Sequence, residues 1–398
     1  MSLKGPNSRH SDVAVVGGGL IGSSIALRLA QTGLRVTVFE RGTAGREASS
    51  AAAGMIAPQA EKMGPPQFDQ LCRLSHSIYP DFAAEIESLT GKEVNYRRDG
   101  TLLLALDEAQ AAELQEIQFD AGVERLDPDA ARRRVSGLAD EIRSALFISG
   151  DHWVNNERLT PAVIEAAKRQ GVTFQENMPV RGIRVSHERV EGIETDRDRV
   201  TAGEVILAAG CWSATLAATS GIEIPMRPCR GQILEFELDS PLPMVVRAGH
   251  SYLVPREANV VLVGTTAEYA GFEARVTAEG ISEVLRAGLR LVPILAGGRF
   301  RRAWAGLRPD TADHLPVLGR CGIEGLTLAT GHFRNGILLT PVTAHLIADL
   351  VIKGTAPPLL EPFRAERFAL AARSAQGRTE REKGESEEAQ VSAARGRY

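Results

Sequence analysis

The stretch that decides the fold runs from Asp12 to Glu40 and reads DVAVVGGGLIGSSIALRLAQTGLRVTVFE. DVAVV is the pattern of a buried strand, LIGSSIALRLAQTG of a helix and RVTVFE of a second strand. Gly17, Gly19 and Gly22 stand between strand and helix in G-x-G-x-x-G spacing, and Glu40 closes the second strand. Each part has a physical task. Gly17 permits a tight turn, Gly19 lets the backbone approach a pyrophosphate, and Gly22 allows close packing of helix on strand. The helix start offers N–H groups and the positive end of its dipole to phosphate, while Glu40 is placed to accept hydrogen bonds from a ribose diol. A dinucleotide site is therefore expected, without a choice between NAD and FAD.

Working outward, 398 residues exceed one ordinary compact core, so two closely packed domains are expected. The formal net charge of −4, from 46 basic and 50 acidic residues, gives no reason to expect nucleic acid or an anionic membrane as partner. No apolar run has the length of a spanning helix, and the polar start MSLKGPNSRHSD has no signal-like apolar region. Cys72, Cys211, Cys229 and Cys321 lie far apart, which predicts neither a zinc site nor a disulfide framework and points to a cytoplasmic protein. No metal site is expected.

Along the chain, FDQLCRLSHSIYPDFAAEIESLTG reads as a helix closed by Gly91, TLLLAL as a strand, and the residues after Asp127-Pro128 as charged helix. TPAVIEAAKRQG predicts a helix with Thr160 as N-cap, Pro161 in its first turn and Gly171 past its end. RGIRVS, VEGIET and EVILAAG read as strands, and residues 225–266 as further β-structure. A helix near 277–292 and the strand LTLATG follow. The expected class is α/β (α+β overall): a Rossmann-like domain from discontinuous segments, 12–90, 150–222 and 305–370, and a second domain, 91–149 and 223–304, on a mixed, largely antiparallel sheet. Tails 1–11 and 373–398 are expected to be disordered.

After the ribose acid comes EASSAAAGMIAP, a run of tiny residues against which a flat aromatic ring could lie. Together with EVILAAGCWS, WAGLRPDT and GHFRNGILL, in this order, the chain resembles the FAD-dependent D-amino-acid oxidase superfamily, and within it the glycine oxidases of thiamine biosynthesis. The likeness spans about Asp12 to Phe363. It implies non-covalent FAD, with Leu20 and Ile21 at the pyrophosphate turn and Glu40 and Arg41 at the ribose. Ala48, Ser49, Ala53, Gly54 and Met55 would approach the flavin. Val180 would meet the adenine side and Gly210 would close over the nucleotide. His332, Phe333, Arg334, Asn335, Gly336, Ile337 and Leu338 would run along the isoalloxazine.

For the substrate, a planar guanidinium can grip a carboxylate bidentately and so fix the Cα–H direction. The resemblance assigns that task to Arg308, assisted by Arg334, with Tyr252 reaching the same group and His250 nearby. A structural salt bridge remains open for the two arginines, a plain core role for Tyr252 and His250, and Trp212 and Trp304 read as core. The implied reaction is oxidative deamination of glycine, with sarcosine and small D-amino acids, by hydride transfer to flavin, with O2 as acceptor. No carboxylate pair or nucleophile–base motif supplies an acid or base. The helix after Gly336 would aim its positive end at the reduced flavin's charge. A D-amino-acid dehydrogenase passing electrons to a quinone and a flavin-bearing subunit without turnover remain alternatives, as does a homo-oligomer. Two departures stand out. TADHLPVLGR lacks the cysteine that tethers FAD in sarcosine oxidases of the superfamily, and Ala267 occupies a position where glycine oxidases can carry a pocket-lining methionine.

Overall fold

The computed structural model describes residues 10–61, 64–116 and 122–369. The strand His10–Val16 runs into the glycine turn, and the helix Leu20–Ala30 leaves it. That strand lies inside an eight-stranded sheet, parallel to Val36–Phe39 on one side and to Arg199–Leu207 on the other. Thr173–Gln175 extends the sheet in parallel beyond Val36–Phe39. On the far side the sheet forks. The start of Arg199–Leu207 pairs with the hairpin Val180–Ser186 and Arg189–Thr195, and its end pairs in parallel with Leu326–Thr330, itself followed by Val317–Arg320. Parallel central strands are covered on both faces, which is why DVAVV and EVILAAG are apolar without alternation.

The helices Leu20–Ala30, Pro66–Thr90, Asn156–Arg169 and Thr340–Lys353 pack on one face of this sheet around a single apolar cluster. Ala26 is fully buried there, so the close helix packing expected from its size is present. A second eight-stranded sheet is ordered Arg299–Thr311, Met226–Glu237, Val260–Gly264, Ser251–Pro255, Val245–Ala248, Thr101–Ala105, Ser144–Ile148 and Val123–Leu126. It is antiparallel except where Val245–Ala248 meets Thr101–Ala105. A three-stranded sheet of Met55–Ile56, His152–Val154 and Tyr96–Arg97 lies beside the tiny-residue run. The chain is thus a mixed α/β protein.

Three local expectations change. The helix predicted to start at Thr160 starts a turn earlier, at Asn156, because the Asn155 side chain accepts from Glu157 N. Such a cap contributes about 1 kcal/mol, and Thr160 becomes a buried residue inside the helix. The helix expected directly after Gly336 begins at Thr340, whose hydroxyl bonds back to Gly336 O, with Pro341 in its first turn. His10 and Ser11, assigned to a disordered tail, belong to the first strand. The remainder of the two expected tails lies outside the described residues apart from 10 and 11. Gly91 does close Pro66–Thr90, in the left-handed conformation.

Candidate active site

A cavity of about 530 Å³ opens along the carboxyl ends of the parallel strands, bounded there by Val16, Phe39, Ala208 and Ala329, and reaches the second sheet at Ile233, Tyr252 and Arg308. Its volume falls within the ~300–1,000 Å³ usual for small-molecule sites, and the strand-end crevice is where open α/β sheets bind ligands.

The first end is built from backbone. Gly17, Gly19, Leu20 and Ile21 line it, whereas Gly22 lies behind, packed under the turn. Gly17 has φ +109°, and a Cβ there would stand 2.4 Å from Ala208 O. Glu40 lines the cavity and is buried; its carboxylate accepts from Gly18 N at 2.9 Å and Gly42 N at 3.0 Å, so it also shapes the turn. Two further lone-pair positions remain on a carboxylate holding two such bonds. Ser49, expected at the flavin, lines the cavity, and its hydroxyl also accepts from Leu20 N at 2.9 Å, meeting one of the helix-start N–H groups. Arg41 lines the cavity, ion-paired to Glu47 and stacked 3.4 Å from the Trp212 ring centroid. Trp212 is therefore a cavity residue, contrary to its reading as core.

Ala48, Ala53, Gly54 and Met55 form the next wall, with Val180 and Gly210 opposite. Gly54 has φ +80°, and a Cβ there would stand 2.0 Å from Val154 O. What curves this run is a brace invisible in the local sequence. The fully buried Asn156 donates to Ser49 O at 2.9 Å and Ser50 O at 3.1 Å, and accepts from Arg256 at 3.0 Å. Arg256 also donates to Ala53 O at 2.8 Å. Its guanidinium is lowered to about 10 by burial, offset by Glu157 and Glu235. Trp304 donates to Ala51 O from the other sheet and is half-buried. Cys211 also lines the cavity, but its thiol donates to Leu307 O at 3.3 Å and burial pushes it up to about 12, so it is a poor nucleophile.

His332, Phe333, Arg334, Gly336 and Ile337 line the cavity as the sequence suggests. Burial lowers His332 to about 3, so it is neutral, and it bonds Thr343 at 3.1 Å. Asn335 and Leu338 support this segment from behind: Asn335 N bonds His332 O, and the buried Leu338 gives its carbonyl to Ser75.

The second end is built from side chains. Arg308 and Tyr252 project from adjoining parts of the second sheet, each across a glycine: Cβ atoms on Gly231 and Gly264 would stand 2.1 Å from Arg308 Nη2 and 2.4 Å from the Tyr252 ring. Arg308 donates to Thr265 Oγ1 at 2.8 Å and Thr266 O at 3.2 Å, both neutral acceptors. Tyr252 is buried, and burial raises it most; Arg308 and Arg334 oppose that shift and Glu61 adds to it. Arg334 is held by Glu61 at 3.4 Å and lies 3.3 Å from His250 Nδ1. Glu61 in turn pairs with the buried Arg247 at 2.8 Å. His250 is exposed, lies outside the cavity wall and meets it through Arg334; burial first, then Arg334 and Arg247, lowers it, and Glu61 opposes that shift. Ala267 is also exposed and lies outside the cavity wall, where Thr265 stands in that loop, so the position that the resemblance marks as pocket-lining is not part of this cavity.

This donor set fits FAD: a glycine turn beneath a helix start, a ribose-side acid, and a wall of tiny side chains leading to a cationic end. The geometry defines a dinucleotide-binding protein of the open α/β type. The family model "FAD dependent oxidoreductase" (DAO) matches residues 12–350, and the chain belongs to that family. It is an FAD-dependent member of that family. The chain is 34% identical over 364 residues to the bifunctional ThiO/ThiG protein of Trichormus variabilis, covering 90% of this chain and 55% of that protein. It thus spans about half the length of such bifunctional relatives. It is 35% identical over 365 residues to the glycine oxidase of Geobacillus kaustophilus, covering 89% and 97% of the two chains. The crystal structure of glycine oxidase from that organism superposes with a TM-score of 0.85, at 34% identity and 89% and 98% coverage. The structure of iminodiacetate oxidase from Chelativorans sp. gives 0.82, at 30% identity and 88% and 98% coverage.

Glu61, Arg247, Asn156 and Arg256 were not legible as site residues. Their partners are remote in sequence, and the only local sign was a charge next to an apolar run, as in SYLVPR.

Proposed function

We propose that the protein oxidises glycine, with sarcosine and small D-amino acids as further substrates, and uses O2 to return the cofactor to its oxidised state. The observation that carries this reading is one cavity joining the glycine turn to Arg308 and Tyr252. When bound, FAD supplies the two-electron acceptor for the substrate Cα–H. The chain's own residues do the rest. Arg308, held flat by Thr265 and Thr266, grips the carboxylate bidentately and so sets which Cα–H faces the cofactor wall. Tyr252 adds a hydroxyl to the same carboxylate, in a pocket where burial strengthens such bonds. Ala51, Ala52 and Ala53 leave the ring-facing wall without polar groups. Arg256 and Asn156 pull carbonyls of that run away from the cavity.

The poorly nucleophilic Cys211 supports non-covalent attachment. The four free, buried thiols support a cytoplasmic enzyme. The likeness to glycine oxidases and ThiO/ThiG proteins supports supply of the glycine imine for the thiazole of thiamine. We assign 12–90, 150–222 and 305–370 to FAD and 91–149 and 223–304 to substrate; the long strand Arg299–Thr311 crosses the last boundary and carries Arg308 on its FAD side. A peroxide-release assay with glycine, sarcosine, D-alanine, D-proline and L-alanine tests the reading: peroxide from glycine and none from L-alanine is expected. Substrate-reduced protein that air reoxidises only slowly would favour the quinone-linked dehydrogenase instead.

A further inference from the structure

The cationic end of the cavity holds two arginines, and they are not equivalent. Arg308 rests on a hydroxyl and a carbonyl, so an arriving carboxylate finds no rival anion there. Arg334 carries its rival with it, since Glu61 Oε1 stands 3.4 Å from its guanidinium. Glu61 lines the cavity with its side chain only 9% exposed, and its stronger contact, 2.8 Å, is to Arg247, which is 6% exposed.

Glu61 is also held from behind. The fully buried Asp151 accepts from Gln59 N at 3.2 Å and Ala60 N at 3.0 Å, which fixes the two residues leading into Glu61. Arg247 is anchored in turn by Gly249 O at 3.1 Å. The carboxylate therefore has little freedom to withdraw when an anion enters, and the buried setting weakens screening of any repulsion.

We infer that Glu61 is a specificity-determining residue: held between Arg247 and Arg334, it confines the cavity to amino acids with one carboxylate and excludes those with a second acidic group. The selection works by charge. Arg308 serves the α-carboxylate, while a second carboxylate directed at Arg334 meets Glu61 within the same few ångströms. Like charges brought together in a buried setting of this kind repel one another and disfavour the second anion. Removing the Glu61 charge leaves two cations, Arg334 on the cavity wall and the buried Arg247 behind Glu61, without that carboxylate between them, a setting suited to a second carboxylate.

This inference rests on the reading of the cavity as an amino-acid site, and binding to the holoenzyme separates the two. Acetate and malonate are titrated against the flavin absorption spectrum. Wild-type protein is expected to bind acetate and to bind malonate no more tightly. Failure of both to perturb the flavin would overturn the amino-acid site itself. In Glu61→Gln, an isosteric change, malonate is expected to bind roughly 10-fold or more tighter while acetate shifts by less than about 3-fold. The double variant Glu61→Gln/Arg334→Gln should lose that gain, as should a high-salt repeat in part. Equal shifts for acetate and malonate, or an unchanged malonate affinity, would overturn the specificity role. The double variant guards against a merely structural effect of Glu61→Gln: a malonate gain that survives loss of Arg334 would also overturn the proposal.

Discussion

The two ends of the cavity are made of different materials. At the nucleotide end the wall is largely backbone and methyl groups, with Glu40, Arg41 and Trp212 among them, shaped by glycines and by carbonyls tied back to Asn156 and Arg256. At the substrate end it is a set of charged side chains, Arg308, Arg334 and Glu61, with Arg247 buried behind Glu61, drawn from segments far apart in the chain. The first end recognises a ligand by shape and by fixed dipoles, and tolerates little change in volume. The second recognises charge and can be retuned one residue at a time. Substitutions at the two ends should accordingly fail in different ways.

The largest effect is expected at the backbone end. Gly54→Val places a side chain where a Cβ already meets Val154 O at 2.0 Å, in a backbone conformation of φ +80°. The purified protein should hold FAD about 100-fold more weakly or lose it altogether, read from absorption near 450 nm and apoprotein titration. Asn156→Ala comes next. It removes the partner of Ser49 O and Ser50 O, part-buried acceptors whose bonds contribute about 0.5–1.5 kcal/mol each, so FAD affinity should fall roughly 10-fold with little change in the substrate KM of the saturated enzyme. A normal FAD affinity with a raised KM would break the division between the ends.

At the substrate end, Tyr252→Phe should raise the KM for glycine roughly 10-fold while FAD binding stays as in wild type, since one hydrogen bond to a charged group is removed. The smallest effect sits at the support of Glu61. Burial raises Asp151 to about 7, above the ordinary carboxylate range of the unfolded chain. The folded state thus holds this proton more tightly, and the stability it contributes is complete below about pH 4 and lost as pH rises through about 7. The Tm difference, wild type minus Asp151→Asn, should therefore be larger at pH 5 than at pH 8, by roughly 2–5 °C in thermal melts of the holoenzyme.

The same division explains how much the sequence discloses. A glycine turn is dictated by neighbours in the chain, so Gly17, Gly19 and Glu40 announce a nucleotide fold from DVAVVGGGLIGSS and VTVFE alone. The tiny-residue run announces a flat wall for the same reason. Charged partners carry no such local mark. Glu61 reaches Arg247 across 186 positions and Arg334 across 273, and nothing near Glu61 in the sequence specifies either contact. Arg308 and Arg334 are visible because each stands in apolar or glycine-rich context, and the resemblance already ranks them, but the carboxylate of Glu61 beside Arg334 is set only in three dimensions. Ser49 and Trp212 teach the converse. A small polar residue near a ligand run turned out to seal the helix start, and a tryptophan read as core turned out to line the cavity.

The central claim is that one cavity holds FAD at the backbone end and a substrate carboxylate on Arg308. Anaerobic titration with glycine, comparing wild type with Arg308→Ala at equal FAD content, tests it most directly. The account predicts that glycine bleaches the absorption near 450 nm in wild type. It predicts that Arg308→Ala keeps its flavin but is reduced with a specificity about 100-fold lower. Equal reduction of both proteins by glycine would contradict it.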